Sequence, residues 1–295
     1  MKSIFKYISL LAVAGALLLT ATSCEEFLDV NEDPNNPTEV TPDLVLPTGL
    51  QYTARYIGED RYLNHLGNML MYNWSQSDGF SWYDEEFLYN VTSSFYQQLF
   101  NFAYGNSLKQ FQILDQPGDS TMDNYTAIAK IMKAYHFQIL VDLYGDIPYT
   151  EALLRKEEAT PTYDDAEFVY ESIIDELDAA LEILADPSPV AIVPGIDDIV
   201  FGGNMSSWAA LANTIKLRIL VRAQNSDFVT AEDWASVDGA TFISSDVLIN
   251  PGYLVEENKQ NPFWDELGWD PTGTATLSHD ATCATDFVIE YLVAT

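Results

Sequence analysis

The chain has 295 residues, 47% of them apolar, and carries 45 Asp and Glu against 13 Lys and Arg, a net charge of −32. Length and apolar content together allow a sizeable core without the help of cross-links. The charge repels phosphate backbones over most of the surface, which excludes nucleic acid as a partner, and it disfavours adsorption of the bare protein on anionic lipid.

The N-terminus reads as an address. Lys2 and Lys6 precede an apolar run from Ile8 to Thr20, the pattern of a secretory signal. A spanning helix needs about 20 apolar residues, more than this run supplies. Ala21-Thr22-Ser23-Cys24 places small residues before a cysteine, as in a lipoprotein signal, although Ala21 stands where Leu is usual. The expectation is a signal peptide over 1–23 and a lipid on Cys24; the alternative is an ordinary cleavage site with Cys24 incidental. With Lys2 and Lys6 removed, 11 basic residues face 45 acidic ones, a net charge of −34. Such a surface leaves membrane attachment to the acyl chains, at about 0.8 kcal/mol per buried methylene. Cys24→Ala is therefore expected to move the protein from the membrane fraction to the soluble periplasm. Unchanged partition in a fractionation blot would refute the lipid anchor. Cys24 and Cys283 are the only cysteines, so an acylated Cys24 leaves no disulfide within the chain.

Residues 24–46 form the lipidated arm of this reading, extended by Pro34 and Pro37 and by the asparagines around them. Asp29, Asn31 and Asp33 imitate the start of a calcium loop, but Pro34 takes the place of the turning glycine and Val40 that of the closing glutamate. No metal site is expected. From 47 to 295 the spacing is that of one helical domain. Mixed helical spacing covers Pro47 to Ile57 and Arg61 to Trp74, and Val91 to Leu114 repeats through Phe95, Leu99, Phe102, Leu108 and Phe111.

The strongest pattern lies between Asp123 and Leu153. Tyr125, Ile128, Met132, Tyr135, Ile139 and Leu143 share one helical face, and Ala127, Ile131, Ala134 and Gln138 form a second stripe beside it. A helix with two packable faces belongs inside a helical layer. Gly145 ends it and Pro148 forbids resumption. His136, on the same helix, reads as a hydrogen-bonded core histidine. Another helix opens near Thr162, the expected N-cap, and keeps register from Phe168 to Leu184. No Lys or Arg occurs between Lys156 and Lys216 while 13 acidic residues do, which reads as a solvated outer face. After a loop with a short β-type run, Ala191-Ile192-Val193, Trp208, Leu211, Ile215, Ile219 and Arg222 mark a further helix face. Lys216, Arg218 and Arg222 are expected to pair with nearby carboxylates.

Three runs carry a resemblance: Tyr144-Gly145-Asp146-Ile147-Pro148-Tyr149-Thr150-Glu151-Ala152-Leu153, the Pro161-x-Tyr163-Asp164 opening, and Trp208 through Arg222 with its Ala-Asn-x-x-Lys-Leu-Arg segment. Asn261-Pro262-Phe263-Trp264 adds a fourth. In order and spacing they resemble the SusD/RagB family of outer-membrane nutrient-binding lipoproteins. Spacing alone gives a mainly α chain of helix pairs. The resemblance implies tetratricopeptide-like pairs (an α-α superhelix) with irregular loop insertions carrying the ligand surface. It also implies a TonB-dependent outer-membrane transporter as partner, an outer-membrane, lipid-anchored and surface-exposed location, and no cofactor. Family members are longer, and Asp286 to Val293 opens an amphipathic helix at the end of the chain. The expectation is a copy truncated at its C-terminus.

Binding needs flat apolar faces and orienting polar groups. Two aromatic loops, Tyr72 to Tyr83 and Asn261 to Trp269, fall outside helical register. Trp74, Trp82, Tyr83, Trp264 and Trp269 are the ring candidates, and Asn73, Gln76 and Asn261 their polar partners, with at least two rings expected on one concave face. A glycan is the first expectation for the ligand and a peptide the second. The alternatives are a helical-repeat scaffold for another protein and a lipid-anchored glycoside hydrolase. Catalysis finds little support: His65, His136 and His279 lack metal-ligand spacing, and the chain has no Gly-x-Ser-x-Gly elbow and no phosphate-cradling glycine loop.

Overall fold

A computed structural model describes residues 41–59, 61–154 and 158–294. The expected signal, Cys24 and the arm up to residue 40 lie outside the described residues. From Pro42 onward the elements are α1 (Pro42–Gly58), α2 (Leu63–Leu70), β1 (Trp74–Gln76), α3 (Asp84–Phe87) and α4 (Gln97–Phe102). A π-helical segment (Ala103–Leu108) leads into α5 (Lys109–Leu114), α6 (Asp123–Tyr144), α7 (Ala166–Ala185), α8 (Met205–Arg222) and α9 (Ala231–Ser236). The series closes with α10 (Pro262–Leu267), α11 (Leu277–Ala281), β2 (Thr282–Ala284) and α12 (Asp286–Ala294). The fold is mainly helical, and among the described residues the two short strands form a two-stranded sheet with each other. Helix α1 opens at Pro42, ahead of Pro47 where the spacing put the domain start, because Val45 and Leu46 are already buried in the core.

Helix α6 is the centre. It packs along α7, and α5 and α8 also lie against it. Both of its stripes are used: Tyr125, Ile128 and Met132 are buried, as are Ala127, Ile131, Ala134 and Gln138. The stripe fades at Leu143, which is exposed. Gly145 has φ +74°, a conformation that side chains with a Cβ rarely adopt, so the helix stops there. Buried His136 sends Nδ1–H to the Met132 carbonyl at 2.8 Å and sets Nε2 3.3 Å from the Thr53 hydroxyl.

The turn after α6 is held by carboxylates. Ile147 and Asp164 exchange backbone hydrogen bonds of 3.2 and 2.9 Å. The Asp164 side chain also accepts from the backbone N–H groups of Tyr149 and Thr150, at 2.9 and 2.8 Å. Glu151 accepts from the Thr162 N–H and hydroxyl, and Asp146 from the Ala166 N–H. These bonds give the Asp146-to-Glu151 and Thr162-to-Asp164 runs a structural reason to keep their order. The N-cap of α7 is not Thr162 but Asp165, directly before the first helical residue Ala166, and it accepts from the Glu167 N–H.

The basic cluster on α8 pairs as expected in part. Buried Lys216 reaches both oxygens of Asp178 on α7 at 2.6 and 2.7 Å, and Arg222 reaches Asp142 on α6 at 2.9 Å. Arg218 departs from the expectation. It donates to Gln138 and lies 5.1 Å from the centre of the Tyr135 ring. The acidic face of α7 is therefore not wholly solvated, since Glu176 also holds Lys130 at 2.8 Å.

Ala191 to Val193 forms no strand; the Ile192 N–H donates to the Thr121 carbonyl and the Ile192 carbonyl accepts from the Asn124 side-chain amide instead. Further on, buried Asp198 gathers the N–H groups of Val200, Phe201 and Gly203 and the indole N–H of Trp208. Gly203 makes that turn possible, because a Cβ there would stand 2.0 Å from the Pro194 carbonyl oxygen.

Candidate functional site

The first aromatic loop and the end of the chain are joined by a two-stranded ladder. β1 and β2 run antiparallel with Trp74 opposite Ala284 and Gln76 opposite Thr282. The join is extended by Ser77 N–H to the Ala281 carbonyl, and by the Thr285 N–H and hydroxyl to the carbonyls of Asn73 and Tyr72. Beneath it lies a small second core of Met69, Tyr83 and Ala281, with Trp74 and Phe80 packed on top.

The second loop is not irregular throughout. Asn261 caps α10, its side-chain oxygen accepting from the N–H groups of Phe263 and Trp264, and Pro262 fills the first turn, where its missing N–H costs nothing. This places the Phe263 ring 6.3 Å from Trp74. Trp264 lies 5.0 Å from Trp269, and Trp269 4.3 Å from His279 on α11. Gly268 permits the tryptophan pairing, since a Cβ there would stand 2.8 Å from the Trp264 indole. The two aromatic loops thus meet around a cleft of about 160 Å³ lined by Trp74, Phe263, Leu267, His279, Thr282 and Cys283.

Individual candidates fare differently. Trp82, Trp264 and Trp269 are 38%, 46% and 37% exposed, whereas Tyr83 is 0% exposed. Tyr83 presents no face to a ligand. Its ring sits 4.5 Å from His65 and its hydroxyl 3.0 Å from that of Thr282, so it pins the loop down. Trp82 packs edge-on against Phe80, at 5.3 Å, rather than in the Trp264–Trp269 pair. The polar candidates are committed to the scaffold. Gln76 Oε1 accepts from the backbone N–H groups of Trp82 and Tyr83, Asn73 donates to Asn68, and Asn261 is the cap. Phe263 and His279 were not singled out by sequence. The Pro-Phe-Trp run was the available signal for Phe263, and nothing in the sequence places His279 beside Trp269.

Chemically the site offers flat, half-exposed rings. His279 donates from Nδ1 to the Leu267 carbonyl at 3.2 Å, a bond that orients the imidazole beside Trp269. Among the described residues no hydrogen bond joins His279 to Cys283, although both border the cleft. Stacking is what the geometry provides.

The sequence model of the family described as "Starch-binding associating with outer membrane" (SusD-like) matches residues 34–288. A SusD/RagB family protein from Bacteroides thetaiotaomicron superposes with a TM-score of 0.69 at 23% identity, over 87% of this chain and 52% of that one. A SusD homologue from Bacteroides fragilis gives 0.62 at 27% identity, over 86% and 50%. A chitin-binding SusD homologue from Flavobacterium johnsoniae gives 0.59 at 18%, over 75% and 48%. The chain therefore spans about half the length of the solved structures it matches. Among curated proteins no sequence matches it. The family model covers most of the chain and the fold agrees over the same span: the chain belongs to the SusD/RagB family.

Proposed function

We propose that this chain is a surface-anchored nutrient-binding lipoprotein that captures oligosaccharides and delivers them to a TonB-dependent outer-membrane transporter, with the lipid on Cys24 as its anchor. The observation that carries the reading is the cleft where Trp74 meets Phe263, together with the Trp264–Trp269 pair packed against His279 of its lining, each of those two indoles more than a third exposed. Sugar rings present apolar C–H faces that stack on such rings, while their hydroxyls stay hydrated or find polar neighbours. Membership in a family described as starch-binding, and the chitin-binding relative, favour a glycan over a peptide as ligand. The residues assembled at the cleft call for no chemical step on the bound sugar.

Calorimetric titration with maltohexaose and with the N-acetylglucosamine hexamer tests the reading. Binding of at least one is expected, and Trp264→Ala should weaken it about tenfold, a loss of about 1.4 kcal/mol. Binding of peptides and of neither hexamer would reverse the ligand order. An unchanged affinity in the Trp264→Ala variant would remove the aromatic site.

A further inference from the structure

The cleft between the two aromatic loops is bordered by a histidine whose second ring nitrogen the fold does not use. His279 is held from three sides. The Thr276 hydroxyl caps α11 by accepting the His279 N–H at 3.1 Å, and it donates to the Glu266 carbonyl on α10 at 2.6 Å. The imidazole lies 4.3 Å from the Trp269 ring and sends Nδ1–H to the Leu267 carbonyl at 3.2 Å. A carbonyl can only accept, so the proton is on Nδ1, and in the neutral ring Nε2 presents a lone pair. Nε2 has no hydrogen-bond partner among the described residues and is not sealed from solvent. Around it the lining is mostly apolar, with Trp74, Phe263, Leu267 and Ala284. The Thr282 hydroxyl of the same lining is already engaged with that of Tyr83 at 3.0 Å.

We infer that this cleft reads the acetamido group of an N-acetylhexosamine unit, whose N–H donates to His279 Nε2 and whose methyl packs against Trp74 and Phe263. The inference rests on the glycan reading proposed above and narrows it. The volume sets the size of the guest. About 160 Å³ is well under the roughly 300 Å³ at which small-molecule sites begin, so the cleft takes a substituent while the sugar ring stays outside, on the Trp264–Trp269 pair. The chemistry of the lining then selects among substituents. A carboxylate brings only acceptors to an acceptor, on a chain of net charge −32. A hydroxymethyl can donate to Nε2 but sets its own lone pairs against apolar walls. A deoxy sugar's methyl suits the walls and leaves Nε2 without a donor. An acetamido group supplies the donor and the methyl together, and its carbonyl can stay in the water at the mouth of the cleft. The 4.3 Å contact with Trp269 ties this acceptor to the stacking rings, and the three restraints on His279 mean that little ordering is left for binding to supply.

Cellohexaose has the linkage of the N-acetylglucosamine hexamer and differs from it only in carrying a hydroxyl in place of each acetamido group. In calorimetric titrations at pH 8 the wild-type protein should bind the N-acetylated hexamer about tenfold more tightly than cellohexaose. His279→Phe keeps a ring beside Trp269 and removes the acceptor. It should weaken binding of the N-acetylated hexamer about tenfold and leave that of cellohexaose unchanged, which also shows that the variant folds. His279→Gln, whose amide oxygen can accept, should restore part of the preference, and Trp264→Ala should weaken both hexamers alike. Equal wild-type affinity for the two hexamers, with Trp264→Ala weakening both, would overturn the acetamido reading and leave the glycan site standing. So would binding of maltohexaose and of neither of these two. An equal loss of both hexamers in His279→Phe would assign His279 to the scaffold and overturn its role as the reader. Binding of none of the three would overturn this inference together with the glycan reading on which it rests.

Discussion

Asp198→Ala is expected to destabilise the fold by about 4 kcal/mol, the largest single-residue loss predicted for this chain. The carboxylate is 3% exposed and accepts from four N–H groups, at 3.1 Å from Val200 and Phe201 and 2.8 Å from Gly203 and the Trp208 indole. Each donor left without a partner in the core costs about 1–3 kcal/mol, and the four costs overlap because water can enter part of the space. Trp208 is itself fully buried and cannot turn its indole N–H to solvent without repacking α8. Asp198→Asn is a stringent control. It preserves size, but its amide nitrogen would point a donor at other donors, so it should recover less than half of the loss. Urea unfolding measures both, and a cost below about 1 kcal/mol for the alanine variant would refute the assignment of Asp198 as the anchor of this loop.

The second large effect depends on pH. His136 is wholly buried among the rings of Tyr56, Phe111 and Tyr135, and burial pushes its value down from 6.5 to about 4. The sign follows from which state takes the proton first. As pH falls, the unfolded chain protonates its histidine near 6.5 while the folded protein resists until about 4. The contribution of a neutral His136 is therefore complete above 6.5 and is lost as pH falls toward 4. At about 1.4 kcal/mol per unit, roughly 2 kcal/mol is gone by pH 5. Carboxylates titrate in the same range, so the measurement is a difference: wild type against His136→Gln, each unfolded in urea at pH 7.5 and pH 5. Wild type should lose about 2 kcal/mol more than the variant over that interval. Equal losses would mean that the ring is not held neutral.

Elements with strong periodicity were legible in the sequence, and the reason is local. α6 declares itself because its two stripes obey one helical period, and Gly145 and Pro148 punctuate its end within a few residues. The helix expected from Val91 to Leu114 was legible only in part. Its apolar series runs Phe102 to Leu108 without an intermediate, and the structure puts the π-helical segment there, a wider turn that resets the register. Ahead of it, Tyr96 takes φ +50° and begins the helix later than the pattern suggested. Thr162 failed as a cap because the helix begins at Ala166, so the oxygen within reach of its first turn is that of Asp165, while the Thr162 hydroxyl donates to Glu151.

The candidate site was legible as composition and not as geometry. Ring-rich loops are visible in sequence, but burial within a loop depends on what crosses beneath it. Tyr83 is buried by Thr282 and His65, residues that no local pattern connects to it. The strands are three residues each, too short to show alternation, and they pair across most of the chain. Amide side chains looked like ligand groups because their chemistry suits a sugar. The same chemistry suits a cap or a loop brace, and the backbone made the first claim on Gln76 and Asn261.

The pairing of residues 74–76 with 282–284 also has a consequence in time. The strands lie roughly 200 residues apart, a high contact order, so the ladder can close only after everything between them has left the ribosome. Trp74 meets Phe263 only when that happens. A chain interrupted before Thr282 could bury α6 against α7 yet would display two unassembled ring loops. Only a chain synthesised through β2 can join its two aromatic loops.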